Sequence, residues 1–130
     1  MDETGIVFDH VHLISADPRA AAAWYVDPLG GRIVGQSERD GSLQFLVAFD
    51  GATLIIRGLR TGEQAGTKRA LQWGADHFAF RVNGDFDGYC AALKKKGVPF
   101  TLDPVDFTPS VRIAFLTGPD DVSIELLQRK

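Results

Sequence analysis

The chain predicts an α+β protein of tandem βαβββ modules, forming a curved, nearly closed mixed sheet around a cleft. Three observations carry that prediction. Asp9-His10-Val11-His12-Leu13 resembles Asp76-His77-Phe78-Ala79-Phe80, and both show the apolar–polar alternation of a short strand. Each of the two is followed by an acidic helix start. The halves also end alike, with Asp50-Gly51-Ala52-Thr53-Leu54-Ile55-Ile56 lying over Asp120-Asp121-Val122-Ser123-Ile124-Glu125-Leu126.

After the first strand, Asp17-Pro18 reads as an N-cap and a first helical residue, opening a helix that runs through Arg19 to Tyr25. Three strand candidates follow, at 31–36, 42–49 and 53–57. A glycine-rich polar stretch, about 59–74, reads as a linker. In the second half Asp85 starts a helix, with Phe86, Tyr89, Cys90 and Leu93 at helical spacing and Gly97 closing it. Strands are then expected at 100–102, 110–116 and 122–128. Between the first two of these, Asp103 to Pro109 is expected to be a connecting segment, either a lid carrying Phe107 or a rigid loop stiffened by its two prolines.

The modules would span about 6–58 and 75–128, within one domain covering 1–130, a length suited to a single core. One helix covers only one face of a four-stranded sheet. Two such units are therefore expected to pair, with helices outside and a cleft within.

Composition narrows the partners. A net charge of −3 disfavours nucleic acid, whose binders use basic excess or a basic face to neutralise phosphates. The run Lys94-Lys95-Lys96 reads as a solvated helix end that suits the helix dipole. No apolar stretch approaches the roughly 18 residues of a membrane span. The acidic start Asp2-Glu3 lacks the features of a signal peptide, and the lone Cys90 fits a reducing compartment, so a cytoplasmic location is expected.

Alternation sorts the strand residues into faces. Val11 and Leu13 mark the core side of the first strand, leaving His10 and His12 on the other. Phe78 and Phe80 similarly leave His77 and Arg81 opposite, and Ile124 and Leu126 leave Glu125 opposite. Gln44, Ile55 and Arg57 are expected on the cleft side of the first half. Arg112 and Ala114 are expected there in the second, with Val111, Ile113 and Phe115 packed outward. All three histidines of the chain would then face one cleft with Glu125.

Histidine and glutamate on an inward face cost free energy unless they are paired or bound to metal. His10, His77 and Glu125, at repeat-related positions, are therefore candidate ligands of one divalent metal. His12 could replace His10 as a ligand, carry protons beside the metal, or simply line the wall. Arg57, Arg81, Arg112, Gln44 and Phe107 are candidate substrate contacts. The arginines favour an anionic group such as a carboxylate or phosphonate, unless they reach solvent or pair with acidic residues.

At these residues the chain resembles the vicinal oxygen chelate superfamily, which includes glyoxalase I, methylmalonyl-CoA epimerase, fosfomycin resistance proteins, bleomycin-binding proteins and extradiol dioxygenases. The marks are Asp9-His10-Val11, Trp24-Tyr25 before Leu29-Gly30, Asp76-His77-Phe78, and Gly118-Pro119-Asp120 leading to Ile124-Glu125-Leu126, and they cover nearly the whole chain. The resemblance implies paired βαβββ modules, within one chain or across a dimer, and often a homodimer. It also implies one divalent metal (Fe, Mn, Ni, Co or Zn) held by residues of the first and last strands of each module, here His10, His77 and Glu125.

The fourth ligand position, a glutamate or glutamine in glyoxalases and epimerases, is Ile55 in this chain. Proton transfer in a lyase or isomerase would then fall to His12 or Glu125. The two-histidine, one-carboxylate set also suits an extradiol-type iron dioxygenase. A drug- or metabolite-binding resistance protein without chemistry is the third class the resemblance implies.

Overall fold

The computed structural model describes residues 4–67 and 71–130. The chain divides into two compact units, 1–65 and 66–130, each a βαβββ module with its own four-stranded sheet. The first contains β1 (Val11–Ile14), α1 (Pro18–Val26), β2 (Arg32–Arg39), β3 (Ser42–Phe49) and β4 (Ala52–Arg57). The second contains β5 (Phe78–Arg81), α2 (Phe86–Lys95), β6 (Phe100–Thr108), β7 (Val111–Thr117) and β8 (Ser123–Arg129). The sheet orders are β1-β4-β3-β2 and β5-β8-β7-β6, with the first pair parallel and the others antiparallel in both.

The repeat holds rung by rung. Val11, His12, Leu13 and Ile14 sit opposite Leu54, Ile55, Ile56 and Arg57. In the second module Phe78, Ala79, Phe80 and Arg81 sit opposite Ile124, Glu125, Leu126 and Leu127. His10 and His77 occupy matching places, each one residue ahead of its strand.

Both helices start from an aspartate cap. Asp17 accepts from the Ala20 amide at 3.1 Å, and Asp85 accepts from the Gly88 amide at 3.0 Å. A Cβ at Gly88 would meet only the Asp85 carboxylate, which would have to shift in its cap. At Gly31 the chain turns from α1 into β2 so closely that a Cβ would lie 2.7 Å from Val47 Cγ1.

In the first module α1 buries Ala21, Ala22 and Tyr25, and the sheet fills the layer with Phe45, Val47, Leu54 and Ile56. The second module divides the layer differently. Phe86, Cys90 and Leu93 of α2 fill the layer, over a sheet face that carries Ala114, Leu116, Ile124 and Leu126.

The observed pairing corrects the expected facing of β7. Its register puts Phe115 opposite Glu125 and Ile113 opposite Leu127, while Ala114 pairs with Leu126 and Arg112 with Gln128. Ile113 and Phe115 thus lie on the face away from α2, and Arg112 lies on the face that α2 covers. The expectation placed the larger side chains under the helix. Here the helix already supplies the large groups, so the strand supplies the alanine.

A second correction concerns residues 103–108, expected as a connecting loop and found as the outer half of β6. Pro104 is tolerated because β6 is an edge strand, and three register shifts let it bend along β7. Ion pairs pin the segment, Asp103 to Lys94 and Asp106 to both Arg112 and Lys130. Phe107 stands 72% exposed on this strand. Among the described residues no helix is long and apolar enough to cross a membrane.

Candidate functional site

The chemistry-bearing side chains lie on the face of each sheet that its helix leaves uncovered. In the second module the strand alternation of β8 puts Ile124 and Leu126 under α2 and turns Glu125 to the other side. His77 precedes β5 and meets it there, with Nε2 at 3.1 Å from Glu125 Oε1. The other ring nitrogen, Nδ1, is 2.8 Å from Asp76 Oδ2. The Phe115 ring packs edge-on against the imidazole at 4.9 Å between centroids. The Asp76 hydrogen bond foremost pushes the His77 pKa above its ordinary value, against partial burial and with help from the Glu125 carboxylate.

The surroundings of this pair are apolar. Ile113, Phe115 and Leu127 share its face by register, and Leu102 and Val105 of β6 stand opposite Phe115 and Ile113. Arg81 lies exposed at the end of β5, beside Leu127.

The first module offers a counterpart with two histidines and an arginine. His10 Nδ1 is 2.7 Å from Asp9 Oδ2, and its ring centroid is 6.0 Å from that of His12. Burial foremost, then the charges of Arg57, His10 and Arg60, lowers the His12 pKa and favours its neutral form. Gln44 stands opposite Arg57, and Leu46 opposite Ile55, on the His12 face.

Arg57 is not free to meet a ligand as it stands. Its guanidinium grips Glu63 with two bonds, of 2.6 and 3.2 Å, and donates a third to the Gly58 carbonyl at 2.9 Å. Glu63 also accepts from the Arg60 amide at 2.7 Å. These bonds drop the Glu63 pKa to about 2, with the Arg57 contact the main cause.

Arg112 departs from its expected place as a substrate contact. It bonds Asp87 of α2 at 2.9 and 3.3 Å and Asp106 at 3.1 Å, on the helix-covered face, where it ties α2 to β6. Ile55 occupies the rung that Glu125 takes in the second module.

Sequence reasoning missed the roles of Asp76, Asp9 and Glu63. For the first two a signal was present, since Asp-His occurs twice at repeat-related positions. Nothing in the spacing of Arg57 and Glu63 pointed to their contact. Among the described residues neither module by itself gathers three or more His, Cys, Asp or Glu side chains around one point. The donor chemistry nonetheless suits a divalent metal. An imidazole nitrogen and a carboxylate oxygen face each other, and a second carboxylate orders the imidazole from behind.

Tandem βαβββ modules with histidine and carboxylate donors on the uncovered sheet face define a class of small-molecule proteins. Within that class the chain belongs to the Glyoxalase/Bleomycin resistance protein/Dioxygenase superfamily, whose family model matches residues 7–126. A glyoxalase family protein from Bacillus cereus superposes with a TM-score of 0.81 at 17% identity, covering 99% of this chain and 98% of that one. A glyoxalase I variant from Zea mays gives 0.75 at 21% identity, over 93% of this chain and 44% of that one. TnmS3, an antibiotic binding protein from a Streptomyces species, gives 0.71 at 23% identity, over 98% and 100%. At these identities the likeness is one of fold. No curated protein matches the chain.

Proposed function

We propose that the protein is a metal-dependent enzyme, a cytoplasmic homodimer that performs lyase or isomerase chemistry on a small molecule with two adjacent oxygens. The observation that supports this most is the His77 Nε2–Glu125 Oε1 approach of 3.1 Å on the uncovered face of the second module. His77, Glu125 and, by the family resemblance, His10 would hold one divalent metal, which would polarise the substrate oxygens and stabilise charge that develops on them.

The proton-handling group is His12, with Glu125 as the other candidate. Ile55 cannot move a proton, whereas the lowered pKa of His12 favours the neutral imidazole a base requires. Arg57, Gln44 and Arg81 would receive an anionic group of the substrate, with Arg57 first releasing Glu63. Phe107 and the apolar side chains beside His77 would take its carbon skeleton.

A second reading is favoured by one feature. Ile55 at the fourth position, with Ile113, Phe115 and Leu127 around His77, suits a protein that binds a drug or metabolite without turning it over. Elemental analysis of anaerobically purified protein, followed by titration with Zn2+, Ni2+, Co2+, Mn2+ and Fe2+, separates the readings. About one equivalent bound per chain, lost in His77→Ala, is expected. Uptake of iron alone would shift the reaction to an extradiol-type dioxygenase. No uptake of any metal would leave the binding protein.

A further inference from the structure

Two aspartates have no part in the function proposed above, although they make the same contact in both modules. Asp9 lies 2.7 Å from His10 Nδ1, and Asp76 lies 2.8 Å from His77 Nδ1. In a regular strand neighbouring side chains point to opposite faces and could not meet in this way. Here each histidine comes one residue before its strand begins, where the backbone is released from the ladder. The aspartate can then fold alongside the imidazole that follows it.

We propose that Asp76, and in the first module Asp9, are positioning residues that fix the tautomer and ring orientation of the metal-binding histidines. An ionised carboxylate can only accept a hydrogen bond. The ring nitrogen facing it must therefore carry the hydrogen. In the second module Nε2 faces the Glu125 carboxylate at 3.1 Å, so without a metal the ring can donate to both carboxylates. A metal ion bound there would take the place of the Nε2 hydrogen, and the bond from Nδ1 to Asp76 would keep the remaining hydrogen off Nε2. Phe115, edge-on to the ring at 4.9 Å, limits its rotation from the side. With the Asp76 bond, the imidazole is held both at its edge and on its flank. Without that bond, a neutral histidine can place its hydrogen on Nε2 and block the donor.

This role rests on the metal reading of His77 and Glu125, and two measurements keep the two claims apart. The first is the Zn2+ dissociation constant of the wild type, Asp76→Ala and Asp76→Asn, obtained by competition with a chromophoric chelator. The second is two-bond 1H–15N NMR of the metal-free proteins at a pH high enough for His77 to be neutral, which reports which nitrogen is protonated. Asp76 is largely exposed, so neither substitution opens a hole in the core.

Asp76→Ala is expected to weaken Zn2+ binding by about 10–100-fold and to move the His77 hydrogen from Nδ1 towards Nε2. Asn keeps an acceptor oxygen without the charge. Asp76→Asn should therefore retain the Nδ1–H form and recover much of the affinity. If the wild type binds Zn2+ and Asp76→Ala binds it equally well, or keeps the same tautomer, the positioning role is overturned while the metal site stands. If the wild type binds no metal, the site reading fails and the role falls with it.

Discussion

The two modules share their strand order and their parallel β1–β4 and β5–β8 pairing, yet they assign opposite duties to the same positions. On the uncovered face of the first, β4 presents Ile55 and Arg57; on that of the second, β8 presents Glu125 and Leu127. One face therefore gathers His10, His12 and Arg57, the last paired with Glu63. The other is apolar around a single histidine–carboxylate pair. The covered faces differ too: β3 brings Phe45 under a helix face of Ala21, Ala22 and Tyr25, whereas β7 brings Ala114 under one of Phe86, Cys90 and Leu93. A duplicated fold constrains backbone register and layer thickness. It leaves open which side of a layer supplies the volume and which module supplies the charge.

The largest expected effect breaks the volume comparison. Phe45 of β3 and Phe115 of β7 sit on equivalent strands but on opposite faces. Phe45→Ala removes a ring that is 2% exposed and should cost about 3–5 kcal/mol in urea unfolding. Phe115→Ala should cost about 1 kcal/mol, because its face lies away from α2. Equal losses would mean that the Phe115 face is packed core and no surface for a ligand. Ala114→Leu tests the covered face directly. Adding bulk beneath α2 should cost about 1–3 kcal/mol.

The next effect sharpens the charge comparison. Ile55 and Glu125 occupy the same rung, so Ile55→Glu gives the first module the carboxylate it lacks. Metal titration should then show affinity raised by roughly tenfold, about 1.4 kcal/mol. Unchanged affinity would argue that the Ile55 rung stands apart from the metal, whatever the symmetry of the fold.

Much of this was legible because strand period and helix caps are local. The Asp17 and Asp85 caps, the two helices, and the strands around His10, Leu46, Ile55, His77 and Glu125 follow from residues within a few positions of each other. Failures came where the answer depended on a distant partner. The faces of β7 were reversed because the bulk needed from Ile113 and Phe115 was already supplied by Phe86 and Leu93, well before them in the chain. Arg112 looked like a ligand contact until Asp87 and Asp106 claimed it. Residues 103–108 looked like a loop because proline usually ends a strand, and only an edge position permits it. The proposal of His10, His77 and Glu125 as metal ligands came from the repeat combined with the family resemblance. The Asp-His contacts were hidden because alternation forbids neighbours from touching, and the strands begin one residue later than the pattern suggested.

The smallest expected effect compares the two clamped arginines. Arg57 holds Glu63 on the uncovered face of the first module, whereas Arg112 holds Asp87 and Asp106 on the covered face of the second. Glu63 has its pKa lowered from 4.5 to about 2, so its ionised form is the one the fold favours. The stabilisation is therefore fully present above about pH 4.5 and is lost as the pH falls towards 2. Glu63 is well exposed to solvent, so the loss should be modest and should shrink further with added salt. Urea unfolding of the wild type and Glu63→Gln from pH 7 to 2 should show a small gap that closes at the acid end. A gap that persists at pH 2 would mean that shape, not charge, is what Glu63 contributes. The substitution also releases the Arg57 fork. If the anionic group of a substrate docks there, Glu63→Gln should tighten its binding even as it slightly loosens the fold.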